Sequence, residues 1–153
     1  MARRFSRSIR IVRRLPKRRV TSSRKFSFEN SSSVSSRVSS LISECSLEYI
    51  NPDRIFCVES EGSRSRAYAR IWGLARIWQN TLNVGPAYVL EATHRFQKLN
   101  TEEQNRVLLH ELAHIPKNFS GALIGHNGLE RRVQEMIRNS KSKKIDSRPS
   151  KLR

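Results

Sequence analysis

Acidic residues are nearly missing from the two ends of this chain. Residues 1–25 contain eleven Lys or Arg and no Asp or Glu, and residues 138–153 contain seven basic residues and one acid. Such segments repel themselves and offer too little apolar surface for a core. Disordered basic tails are therefore expected at 1–33 and 139–153, with the folded domain at 34–138. Residues 26–137 hold twelve basic and twelve acidic groups, so the formal charge of +17 belongs to the ends. Long apolar runs are lacking too. None approaches the ~20 residues of a membrane span or the apolar core of a secretory signal. Arg3-Arg4-Phe5 opens like a twin-arginine signal, but no hydrophobic region follows. A segment rich in Arg and Ser also has the composition of an organellar transit peptide; the cytoplasm is the expected compartment, with no membrane partner. Cysteine is scarce. Cys45 and Cys57 stand among apolar neighbours, which excludes a disulfide scaffold and a cysteine-rich zinc site.

What the chain does have is a concentration of histidine. Three of its four histidines lie within residues 107–126, and two of them flank a glutamate as His110-Glu111-Leu112-Ala113-His114. On a helix His110 and His114 are one turn apart on one face, about 6 Å along the axis, and can grip a single metal ion. Glu111, next round the helix, can reach a water at that metal without being a ligand. Two imidazoles holding Zn²⁺ beside a carboxylate that accepts a proton is the division of labour of a metal-dependent hydrolase. A bare His-Glu-x-x-His also arises by chance on solvated helices, so its context decides. Thr101-Glu102-Glu103-Gln104 reads as a capping box. Leu108, Leu112 and Ile115 form an apolar stripe, and Pro116 stops the helix just after the second histidine.

A catalytic zinc usually takes a third protein ligand and leaves one position open. His126 is favoured, because Gly121 and Gly125 permit a tight reversal after Pro116. Glu130 is the rival, although it also suits the first turn of the next helix as a capping carboxylate. Cys57 lies in the apolar run Ile55-Phe56-Cys57-Val58 and reads as a small buried hydrophobe. His94 reads as a surface residue. Arg95, Arg106 and Tyr88 are unranked candidates for stabilising a developing oxyanion.

Elsewhere the pattern is mixed. Val34, Val38, Leu41, Ile42, Cys45 and Tyr49 share a helical face. Strands are expected at 54–59, 64–72 and 87–92, with a short helix or wide loop carrying Leu74, Ile77, Trp78 and Leu82. Trp72 and Trp78 read as core rather than as the lining of a cleft. Leu129, Val133, Met136 and Ile137 mark a last helix. Together these predict a small α+β domain with a short antiparallel or mixed sheet covered on one side by helices.

Arg70-Ile71-Trp72-Gly73-Leu74, the strand before the helix, and His110-Glu111-Leu112-Ala113-His114-Ile115-Pro116 with Phe119-Ser120-Gly121 and His126 resemble a metallopeptidase family of archaea and their viruses. The similarity covers about residues 50–137. It implies a minimal zincin-like fold and a zinc-dependent peptidase acting on a peptide or protein substrate, with His110, His114 and His126 as ligands and Glu111 as catalytic base. Zincin-like peptidases generally bind substrate as an added strand; residues 87–92 are the expected edge. A different reading keeps the metal without the catalysis: a basic nucleic-acid-binding protein with a structural zinc, its tails contacting phosphates without reading sequence.

Overall fold

The computed structural model describes residues 25–146. Four strands and four helices follow the order β1 (Ser27–Asn30), α1 (Ser32–Glu44), β2 (Ile55–Glu61), β3 (Ala69–Gly73), α2 (Arg76–Leu82), β4 (Tyr88–Thr93), α3 (Thr101–Ala113) and α4 (Leu129–Asp146). The sheet has the order β1-β2-β4-β3. β2 and β4 run parallel, while β1 and β3 pair antiparallel to them on the outside. The α+β class with a mixed sheet is thus as expected. The strand at 87–92 is not an edge, however: β4 is bonded on both sides, and the free edges belong to β1 and β3.

Strand β2 is short and rich in β-formers, and alternates as a half-covered strand does: Ile55 and Cys57 are buried and Phe56 is exposed. Helix α1 is capped by Ser31, whose hydroxyl accepts from the Val34 N–H, and it buries Val34, Val38, Leu41 and Ile42. Those side chains meet Ile55, Cys57, Tyr88 and Leu90 of the sheet and Leu108, Leu112 and Val133 of α3 and α4. Each fully buried Leu or Val contributes about 1.5–3 kcal/mol relative to exposure.

Several boundaries differ from the expectations. β1 lies inside the stretch read as tail, since Ser27–Asn30 pairs with Val58–Glu61, and α4 runs to Asp146. Residues 1–24 and 147–153, most of the expected tails, lie outside the described residues. The strand read over 64–72 is regular only from Ala69. Before it, the Ser63 hydroxyl accepts from the Ser65 N–H at 3.2 Å and the Ser65 hydroxyl from the Ala67 N–H at 3.1 Å. Serine side chains there occupy the backbone donors that a ladder needs. The tryptophans are not core residues either: Trp72 is 53% exposed and Trp78 57%. Trp72 faces away from the helices, and α2 buries none of its residues.

Candidate metal centre

Helix α3 delivers the first two histidines. Its capping box begins one residue earlier than Thr101: the Asn100 side chain accepts from the Glu103 N–H at 2.9 Å, and the Glu103 carboxylate accepts from the Asn100 N–H at 3.0 Å. Asn is the stronger N-cap, and Thr101 becomes the first helical residue. Leu108, Leu109, Leu112 and Ala113 are buried and fix the rotation of the helix, which sets His110 and Glu111 at its accessible flank. His114 is the C-cap and keeps helical dihedrals, so the one-turn relation to His110 survives to the end of the helix.

The third histidine arrives on a strapped loop. Phe119 adopts φ 44 and Gly121 φ 82, and the Gly121 N–H donates to the Tyr88 hydroxyl at 2.9 Å while that hydroxyl donates to the Ala122 carbonyl at 3.0 Å. The Ile124 N–H then donates to the His114 carbonyl at 2.8 Å. In return, His114 Nδ1 lies 2.6 Å from the Ile124 carbonyl oxygen. A carbonyl only accepts, so Nδ1 carries the proton and Nε2 is left as a lone pair. His126 follows two residues later. Its ring centroid is 4.8 Å from that of His114 and 5.8 Å from that of His110, with 5.2 Å between the other two. One ligand atom from each ring lies within 4.8 Å of the others.

This donor set fits a divalent cation that favours nitrogen. Three imidazoles converge, one has its tautomer fixed by a backbone carbonyl as ligating histidines usually do, and His110 has its pKa lowered by burial and by His114 and His126. Lowering keeps it neutral, the form that binds metal. No fourth His, Cys, Asp or Glu joins the cluster among the described residues.

Glu111 sits beside the histidines against β3. Burial pushes its carboxyl up to about 7, opposed by a hydrogen bond from the Ile71 backbone and by His126 and Arg70. A cleft of about 570 Å³ contains all three histidines, Glu111, Arg70 and Ile71. Next to it is a second hollow of about 440 Å³, which shares Ala67, Ala69, His110 and Glu111 and extends to Leu99 and Arg106.

A family model for putative phage metallopeptidases matches residues 26–146. The chain belongs to that family. No curated protein and no solved structure matches it. Membership makes it a metallopeptidase, and the metal it requires has a ready place at His110, His114 and His126.

Not every residue singled out from the metallopeptidase sequence reaches this cleft. Glu130 is exposed and pairs with Arg106 at 3.0 Å, which also occupies Arg106. Tyr88 is buried and spends its hydroxyl on the loop. Arg95 stacks over Tyr68 with 5.4 Å from its guanidinium carbon to the ring centroid. Cys57 is buried in the sheet, where desolvation pushes its thiol up to about 11, and His94 is exposed. Gly121 is required by its positive φ, whereas Gly125 has open space where a Cβ would go. Arg70 and the Ile71 N–H are the groups that sequence reasoning missed. Arg70 lies in the strand expected at 64–72, but nothing local says that this strand passes Glu111.

Proposed function

We propose that the chain is a zinc-dependent peptidase in which His110, His114 and His126 hold the metal and Glu111 is the general base. The observation that carries this is the convergence of three imidazoles with a half-buried carboxylate next to an open strand edge. When bound, zinc supplies Lewis-acid chemistry, making water nucleophilic near neutral pH and polarising a carbonyl. Glu111 takes the proton of the attacking water and returns it to the leaving amine. Burial favours the protonated form of Glu111 and so helps it hold the proton between the two transfers, while a bound cation would favour the carboxylate that accepts it. The Ile71 N–H steadies its charged form.

Substrate would align along β3. Leu74 N–H bonds to the Ala87 carbonyl and Thr93 N–H to the Tyr68 carbonyl, both at 2.9 Å, so even-numbered residues of this segment face β4. Ala69 and Gly73 then turn their backbone groups toward the open edge, as does the Ile71 carbonyl, while the Ile71 N–H is taken by Glu111. A peptide added there passes over the cleft, with the neighbouring hollow at Leu99 and Val107 available to one of its side chains. The absence of a fourth side-chain ligand among the described residues favours this over a structural zinc, which is ordinarily closed.

The test is Glu111→Gln, assayed on an unstructured protein substrate beside wild type. The variant should keep its zinc and lose turnover by about 10²–10⁴-fold, the range for a positioned acid–base group. Full activity in a zinc-loaded variant would refute the role.

A further inference from the structure

The sheet has two free edges. One belongs to β3, beside the metal cleft, and the other is β1. An unpaired strand edge is a template for another strand, and proteins ordinarily blunt it with proline, a bulge or a covering element. Among the described residues, β1 has none of these. Its pairing with β2 runs unbroken from Ser27 opposite Glu61 to Asn30 opposite Val58, and its four residues are all exposed. Phe26, just before it, is exposed as well, and its ring meets that of Phe28 edge-on with centroids 4.6 Å apart.

The backbone decides which residues serve that edge. The Ser31 N–H donates to the Cys57 carbonyl at 3.0 Å, and in the same register Ser27 and Glu29 oppose Glu61 and Glu59. Odd-numbered residues therefore spend their backbone groups on β2, while Phe26, Phe28 and Asn30 turn theirs outward. Side chains alternate across the strand. Phe28 stands opposite Ser60, on the face away from the helices, with Phe26 beside it; Lys25, Ser27 and Glu29 share the other face. On the β2 side Glu29 faces Glu59, a like charge, which a cation on its open side would relieve.

We propose that β1 pairs antiparallel with β1 of a second copy, centred on Ser27. Ser27 then meets Ser27 at the two-fold axis, and on either side of it Phe26 meets Phe28 and Lys25 meets Glu29. This register sets ring against ring and cation against anion together. It also joins Phe26 and Phe28 through the backbone groups that β2 leaves free, so each exchanges both hydrogen bonds with its counterpart. The two Lys25 stand about 14 Å apart along the joint at ~3.4 Å per residue, so the like charges are separated. A joint of this kind closes at two copies. Pairing of β1 with β3 of another copy would instead leave edges free and grow. The dimer leaves both metal clefts open, at the two outer margins of a sheet built from two four-stranded halves.

The experiment reads the mass of the full chain by sedimentation across a wide concentration range at physiological salt, so it is independent of whether the chain cleaves peptides. Wild type should reach a reversible dimer and go no further. Phe28→Pro removes an N–H that points outward and spares the ladder to β2, so it should weaken the dimer about tenfold or more. Lys25→Glu should weaken it by repulsion from Glu29, and Glu29→Lys in the same chain should restore it; that rescue decides if Phe28→Pro unfolds the chain. Ser27→Cys should oxidise to a covalent dimer, because facing residues of a non-hydrogen-bonded pair lie at disulfide distance. Asn30→Cys, equally exposed on the same strand, should not. Cys45 and Cys57 are buried and do not interfere. A wild type that stays monomeric, a dimer indifferent to both the proline and the charge reversal, or a mass that climbs beyond two copies overturns the proposal.

Discussion

Glu111 is held where its charge is disfavoured. Burial raises its carboxyl to about 7 despite the Ile71 hydrogen bond, His126 and Arg70. In metal-free protein the folded state therefore binds a proton that the unfolded chain has already released between the ordinary carboxylate range and pH 7. Stability attached to this group is present below that range and lost as pH rises toward 7. His110 acts the other way, because a lowered pKa means that protonation at falling pH weakens the fold. Comparing wild type with Glu111→Gln in chelator isolates the first effect. The stability advantage of the native residue should shrink by up to about 3 kcal/mol from pH 4.5 to 7; a difference constant with pH would show that the carboxyl is not desolvated as described. At this scale His110, Glu111 and His114 were legible because one helical turn relates them. The His114 tie to Ile124 was not, since it depends on a loop returning to the helix end.

Among the elements, the loop from Pro116 to His126 does most to assemble the site. A Cβ at Gly121 would come within 2.2 Å of Gln79 Nε2 and 2.4 Å of the Leu74 carbonyl oxygen, in a backbone conformation that L side chains rarely adopt. Gly121→Ala should therefore destabilise the protein by about 1–3 kcal/mol and weaken metal binding, because His126 is displaced with the loop. Gly125→Ala meets nothing within 4 Å and should leave melting temperature and metal content unchanged. Equal behaviour of the two variants would contradict the loop path. The sequence could not separate these glycines, since chain reversal needs one positive φ and either residue supplies it. Nor could it rank the strands: residues 87–92 and 69–73 are similar in length and apolarity, and only pairing order makes β3 the edge. α3 was readable from end to end, to within one residue at its cap, because its signals are local.

Taken whole, the molecule is a thin sheet with helices on one side, and its α3–α4 layer ends at the histidine cluster. Periodicity revealed the helices and most strands. It did not reveal β1, whose four residues are all exposed and so show no burial pattern, nor the aromatic outer face, because tryptophan on a strand suits a core equally well. A domain of this size has a modest core, so a metal tying α3 to the 116–126 loop should stabilise it measurably. Zinc at about 100 times its dissociation constant adds about 2.7 kcal/mol, or roughly 10 °C in melting temperature, and chelator should remove that increment. Equal melting with and without chelator would mean that the metal is not part of the fold's stability. The most direct measurement is zinc content per chain after purification without chelator, for wild type, His126→Ala and Glu130→Ala. The account predicts about one zinc in wild type and Glu130→Ala and little or none in His126→Ala. No zinc in wild type, or undiminished zinc in His126→Ala, would contradict the three-histidine centre.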